Sequence, residues 1–298
     1  MKKWFFCLVI LLLLGYGLTK WKTGTSSLPD ESKPRIENGM KPDPTVQRDG
    51  FTIDVSQEMI YRGDLLLINK DHPVPDGIDA ESEAVSLVRN PELIDGFGVL
   101  DNRVLLSPRL AGKFSRMVKD AAQEGVSSFL ISSGFRNKAD QEELYRTLGA
   151  QIANPPGYSE HNVGLSMDIG SSQAEMSRAP EGKWLIDHSW KYGFVLRFPE
   201  DKTAITGVQF EPWHFRYVGL PHSAIMKEKN LVLEEYLDYL KEQNSVSTSI
   251  GEDRYQVFYY PVSRDHKIDV PVRGEYEVSG NNQDGVIVTV RQSAEQGE

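Results

Sequence analysis

Two short stretches that stand far apart in the chain constrain its topology more than anything else in the sequence. Ser159-Glu160-His161-Asn162-Val163-Gly164-Leu165-Ser166-Met167-Asp168 places a histidine seven residues before an aspartate, and Glu211-Pro212-Trp213-His214 places a glutamate three residues before a second histidine. A fold that uses both must bring the chain back to one place twice. Pro212 biases Glu211 away from the α conformation, so the second stretch is no helical metal-binding motif. A kinked, extended segment instead lets Glu211 and His214 approach one site. Gly164 suits a tight loop that returns from His161 into a strand holding Asp168.

Two histidines and one aspartate suit a catalytic zinc, because three protein ligands leave a fourth position for water. Such a metal lowers the pKa of its water to about 7. A general base must then stand beside the water without binding the metal, and Glu211 is the candidate. The chain has six histidines, His72, His161, His188, His214, His222 and His266, and taken singly each is more readily a structural hydrogen-bonder than a metal ligand. Spacing alone also leaves open ferrous iron in an oxygenase, although the His-x-Asp pair usual there is absent. The one cysteine, Cys7, excludes a disulfide framework and any cysteine metal site.

Charge narrows the partners. The first 22 residues carry Lys2, Lys3, Lys20 and Lys22 and no acid, so residues 23–298 hold 29 basic against 43 acidic residues. A body with that balance is not drawn to nucleic acid by charge. Apolar residues at 39% and charged residues at 26% exclude wholesale disorder and a multi-span membrane protein. Met1-Lys2-Lys3 precedes 16 uncharged residues, Trp4 to Thr19. As a helix these reach roughly 24 Å against a hydrocarbon layer of roughly 30 Å, which Trp4, Trp21 and the flanking lysines help to span. No Ala-x-Ala cleavage site follows. The segment reads as a signal anchor or signal peptide over residues 1–22, with the anchor preferred and the catalytic part expected outside the cell membrane. Residues 23–50, with Pro29, Pro34, Pro42 and Pro44, read as a flexible tether.

The body, residues 51–243, mixes strands and helices. An apolar run predicts a strand at 64–69. Ser107 and Pro108 open a helix that Gly125 stops, Asn137 caps a helix over 138–148, and further helices are expected at 181–191, 221–227 and 231–242. Strands are expected at 126–132, 165–169 and 194–197. The absence of a regular βαβ alternation predicts an α+β fold. Residues 244–298 read as a small all-β region, with strands near 255–262, 276–279 and 286–290 around a turn at 280–285. Its expected role is to cover the catalytic core, with docking to a partner or cell wall as the alternative.

Ser-x-His-x-x-Gly-x-Ser-x-Asp followed by Glu-x-Trp-His resembles the signature of the zinc D-Ala-D-Ala peptidases, a group that includes lysostaphin-type enzymes and the hedgehog fold. Ser166 stands where that signature usually has alanine. The likeness continues in Ser133-Gly134-Phe135-Arg136, Trp190-Lys191-Tyr192-Gly193-Phe194, Arg197-Phe198-Pro199 and Arg216-Tyr217-Val218-Gly219. With the leader and tail, the chain resembles the VanY-type membrane-bound D,D-carboxypeptidases of glycopeptide resistance, most strongly over residues 62–243. The resemblance implies a central antiparallel sheet flanked by helices, with one zinc per chain on His161, Asp168 and His214. It also implies Glu211 as base and then acid, Arg136 over the scissile carbonyl, and Ser159 and Gln141 hydrogen-bonded to the substrate end. The implied substrates are peptidoglycan stem peptides ending in D-Ala-D-Ala.

Serine chemistry is disfavoured: no Ser-x-x-Lys occurs, and Gly157-Tyr158-Ser159-Glu160-His161 lacks the second glycine of a nucleophile elbow. Three rivals stay open at this point: a dipeptidase acting on free D-Ala-D-Ala, a cell-wall endopeptidase, and a non-enzymatic wall-binding module that keeps its zinc.

Overall fold

A five-stranded sheet carries both motif stretches, and a second five-stranded sheet closes the molecule behind it. The structure, a computed structural model, describes residues 34–38, 50–149 and 153–293. In chain order the strands are β1 (Arg35–Asn38), β2 (Phe51–Val55), β3 (Val85–Ser86), β4 (Gly98–Val99), β5 (Leu105–Leu106), β6 (Phe129–Ser133) and β7 (Ser166–Ser171). They continue with β8 (Phe194–Leu196), β9 (His214–Tyr217), β10 (Ser245–Ile250), β11 (Asp253–Pro261), β12 (His266–Val270), β13 (Glu275–Gly280) and β14 (Gly285–Gln292). The longer helices are α1 (Pro108–Gln123), α2 (Lys138–Leu148), α3 (Pro180–His188), α4 (His222–Lys229) and α5 (Leu233–Gln243).

The helices start where their caps dictate. Ser107 accepts from the Leu110 amide at 3.3 Å ahead of Pro108, and Asn137 accepts from the Asp140 amide at 2.8 Å. On α1, Leu110, Phe114, Met117, Val118 and Ala121 recur at helical spacing and are buried. They pack with α3 residues Trp184 and Leu185 against Phe129, Ile131, Met167, Ile169 and Phe215 of the first sheet. That sheet has the order β4-β6-β7-β9-β8, antiparallel throughout except for the parallel β4–β6 pair at one edge. Because strand side chains alternate, Met167 and Ile169 facing the helices put Asp168 on the opposite face.

The second sheet, β1-β10-β11-β14-β13, is antiparallel. One face packs on the helices: Val246, Val257 and Ile287 join Ile225, Leu233, Tyr236, Leu237 and Leu240. The other meets a β2–β12 ribbon, with Val55, Ile268 and Val270 against Phe258, Val286, Val288 and Val290. Alternation along β14 sends Ile287 one way and its valine neighbours the other.

Several expectations change here. β1 falls inside residues 23–50, read from sequence as tether, and pairs with β10; residues 23–33 and 39–49 lie outside the described residues, as does the leader at 1–22. β10 follows α5 directly, and from Pro34 on the described residues form one compact unit. Residues 64–69 form no strand. Leu65, Leu66, Leu67 and Ile68 are buried as expected, but the main chain there is satisfied by side chains and loops. Arg216 donates to the carbonyls of Asp64 and Leu66, Asn282 donates to that of Leu67, and the Leu67 amide reaches the Asn281 carbonyl. The α+β class stands. Among the described residues no helix is long and apolar enough to cross a membrane.

His222 pins α4 to both α5 and the second sheet: Nδ1 lies 2.7 Å from the Tyr236 hydroxyl and Nε2 lies 3.0 Å from Thr289 Oγ1. Burial lowers its pKa from 6.5 to about 4. The unfolded chain therefore binds more protons between these values, and stability falls as pH drops from about 6.5 to about 4. His222→Gln is expected to flatten that slope by about 2–4 kcal/mol over the window, read from urea midpoints across pH against the parent chain.

Candidate metal centre and active site

Asp168 on β7 and His214 on β9 face each other in the antiparallel register, and Ser133 of β6 is the partner of Asp168 on its other side. His161 arrives from a single 3-10 turn, Glu160–Val163, which Ser159 caps by accepting from the His161 amide. Gly164 ends that turn at φ +65°, in the left-handed region that glycine enters without strain. It is this backbone angle, rather than crowding, that the position requires, since an added Cβ would meet only ordinary contacts.

The ligand atoms of His161, Asp168 and His214 all lie within 4.8 Å of one another. His161 Nε2 is 3.4 Å and His214 Nδ1 is 3.2 Å from Asp168 Oδ1. His161 Nδ1 lies 2.6 Å from the Gly134 carbonyl oxygen, so that nitrogen carries the hydrogen and Nε2 keeps its lone pair toward the site. His214 is turned the other way round. Its Nε2 faces Glu160 Oε2 at 3.3 Å, which leaves Nδ1 as the ligand atom.

These residues fit a cation. Asp168 Oδ1 is a buried acceptor with no hydrogen-bond partner among the described residues. Burial works against the charge on Asp168, yet His161 and His214 hold its carboxyl well below the usual carboxylate range. Burial lowers His161, which favours the neutral imidazole that a ligand needs. For His214, Asp168 and Glu160 outweigh burial and push it up to about 9, the mark of a place that favours positive charge.

Glu211-Pro212-Trp213-His214 is a tight turn rather than the expected kinked extension. The His214 amide donates to the Glu211 carbonyl at 3.2 Å, with proline at the second position. The turn brings Glu211 Oε2 to 3.6 Å from His214 Nδ1. Burial pushes the Glu211 carboxyl up to about 7, where it can take up and return a proton. Arg136 lies across the site, 3.7 Å from Asp168 Oδ2, and donates to Gln141 Oε1 at 2.7 Å and Ser133 Oγ at 2.9 Å. Gln141 is buried and its Nε2 donates to the Asn154 carbonyl, so its amide is engaged at both ends.

All seven candidate residues named from the sequence thus line one cavity of about 450 Å³, together with Lys70, Tyr145 and the half-exposed Trp213. A wider cleft of about 610 Å³ between α1 and the second sheet shares none of these residues. Sequence reasoning passed over Glu160. Its place inside the motif, directly beside a candidate ligand, does not by itself mark it as buried.

Comparison with known proteins agrees with this geometry. A family model described as VanY, D-alanyl-D-alanine carboxypeptidase, matches residues 103–220. A D-alanyl-D-alanine carboxypeptidase of Enterococcus faecium is 50% identical over 97% of this chain and 96% of its own length. The bifunctional D-Ala-D-Ala dipeptidase and carboxypeptidase VanXYC of Enterococcus gallinarum is 34% identical over 60% of this chain and 95% of its own. Among solved structures, the D,D-dipeptidase VanXYg with a D-Ala-D-Ala phosphinate analogue superposes with a TM-score of 0.70, 29% identity, 82% of this chain and 99% of that one. The fold and site define a metallopeptidase of the D-Ala-D-Ala class. The chain belongs to the VanY D-alanyl-D-alanine carboxypeptidase family.

If the three residues are the ligands, His161→Ala leaves two. The variant is expected to lose bound metal to background on gel filtration, measured by elemental analysis, while the parent chain retains it.

Proposed function

We propose that this chain is a zinc-dependent D,D-carboxypeptidase that removes the terminal D-Ala from peptidoglycan pentapeptide precursors, and so takes away the end that glycopeptide antibiotics bind. The observation that carries the reading is Glu211 placed beside, but outside, a two-histidine, one-aspartate set whose shared carboxylate oxygen accepts no hydrogen bond. Two imidazoles and one carboxylate around an open position suit zinc, one ion per chain. Zinc bound there supplies Lewis acidity and a water acidified to near-neutral pKa.

The chain's own residues do the rest. Glu211 accepts the proton of the attacking water as the new C–O bond forms. It then passes that proton to the amide nitrogen of the departing D-Ala as the C–N bond breaks. Arg136, held by Gln141 and Ser133, faces the carbonyl oxygen where negative charge develops. Ser159 offers its hydroxyl to the substrate end, and the second amide hydrogen of Gln141 is available to the same end. Trp213 and Tyr145 form cavity wall.

The likeness to dipeptidase-bearing relatives supports a second reading, hydrolysis of free D-Ala-D-Ala. The apolar leader with its flanking lysines favours the first. It supports a single N-terminal anchor in the cell membrane with the catalytic part outside, where stem peptides are found and the free dipeptide is not.

The test measures D-Ala release by the purified chain from Lys-D-Ala-D-Ala, with free D-Ala-D-Ala and a cross-linked peptide in parallel, each with and without chelator. Chelator-sensitive release from the tripeptide, with little from the dipeptide, is the expected result. Equal or better dipeptide cleavage would replace this reading with the second. Glu211→Ala is expected to lower turnover by about 10²–10⁴-fold with metal content unchanged, and a loss below tenfold would remove Glu211 from its role.

A further inference from the structure

Glu160 is a buried carboxylate that the proposed chemistry does not use. Its side chain is 1% exposed, and three cationic or polarised groups converge on it. Oε1 accepts from Arg197 Nε at 2.8 Å and from Arg216 Nη1 at 2.7 Å, while Oε2 faces His214 Nε2 at 3.3 Å. Two guanidinium groups hydrogen-bonded to one of its oxygens compensate the burial of its charge. Both arginines are themselves buried and anchored elsewhere. Arg197 makes a two-pronged pair with Glu234 in the first turn of α5, at 2.8 and 2.7 Å, and Arg216 holds the carbonyls of Asp64 and Leu66. Glu234 is fixed in turn by Asn69 Nδ2 at 3.1 Å.

We propose that Glu160 is a positioning residue for His214, clamped by Arg197 and Arg216 so that the imidazole is locked with its hydrogen on Nε2 and its Nδ1 lone pair on the metal. Glu234 serves the same end one step further out, by setting the guanidinium plane of Arg197. Three features separate this from a buried ion pair that serves only stability. The carboxylate oxygens are divided between the arginines and the ligand, rather than both given to arginine. Glu160 is the immediate chain neighbour of the other histidine ligand, so one short turn orients both imidazoles. His214 also depends on a side chain where His161 does not, because a main-chain carbonyl faces the outer nitrogen of His161 while the Glu160 carboxylate faces that of His214.

The proposal rests on the metal reading of the site but not on the substrate, so its test is metal affinity. The dissociation constant for Zn(II) is measured on the purified chain by competition with a chromophoric chelator, and the cobalt(II)-substituted form is compared by visible absorption. Glu160→Gln preserves shape while removing the charge. It is expected to raise the dissociation constant about 10–100-fold and to shift the cobalt bands. Leu237→Ala serves as the structural control: it opens the core behind α5, lowers stability, and leaves the dissociation constant within threefold. A folded Glu160→Gln protein that binds zinc as the parent does, with unchanged cobalt bands, overturns the proposal. If Glu160→Gln fails to fold, Glu234→Gln decides. A rise of about 3–10-fold in the dissociation constant supports the clamp, and none overturns it. Failure of the parent chain to bind zinc would instead remove the metal reading on which the proposed function stands.

Discussion

Register between β7 and β9 is the constraint on which the site depends. Asp168 and His214 are direct partners across that pair, and strand side chains alternate with period two. A slip of one residue would send one of them into the apolar layer beneath α1 and the other to the opposite face. The register is fixed by that layer itself. Met167, Ile169 and Phe215 bury their side chains among Phe114, Met117 and Val118, and no one-residue slip keeps those three inside. Stability of the core and geometry of the ligand set are therefore one requirement. The site needs no separate device to bring its two halves together; it needs only side chains on the far face of strands already placed.

Charge burial on that far face is the opposite kind of contribution. Taking Glu160, Arg197, Arg216 and Glu234 out of water carries a desolvation penalty of several kcal/mol per ion, which their mutual attraction offsets only with well-formed hydrogen bonds. Here the bonds run from 2.7 to 2.8 Å. An apolar cluster of similar volume would serve stability as well or better. What such a cluster could not do is present an ionised acceptor to a ligand histidine and join segments as separate as residues 64–66, the 3-10 turn and α5. The network exchanges stability for definition of position, as is expected near chemistry.

Much of this was legible in the sequence because it rests on local rules. Ser107-Pro108, Asn137 and Gly149 mark their helix ends, and the two-part motif contains the three side chains that converge as well as Glu211 beside them. What escaped was non-local. Residues 64–69 look like a strand because they are apolar and short, yet their main-chain partners come from Arg216 and from residues 281 and 282. The packing partner of residues 244–298 escaped for a related reason. Val246, Val257 and Ile287 fit a half-buried sheet face, and nothing in their spacing says that its cover is α5 rather than solvent. Glu160 was passed over because a carboxylate inside a motif has no sequence mark that separates a solvated acid from one gripped by two arginines.

The two histidines are oriented by different kinds of acceptor, and the difference reaches into heredity. The acceptor for His161 is the peptide carbonyl of Gly134, which no coding change can delete; that for His214 is a carboxylate, which a single codon can. Selection thus acts on half of this centre through side chains and on the other half only through the path of the backbone. That path is narrow at Gly134, where an added Cβ would come within 2.1 Å of the Leu105 carbonyl oxygen. A scan that trims side chains to alanine would register Glu160 and pass over the carbonyl that does the matching work for His161. It would meet that work only at Gly134, where alanine adds an atom instead of removing one.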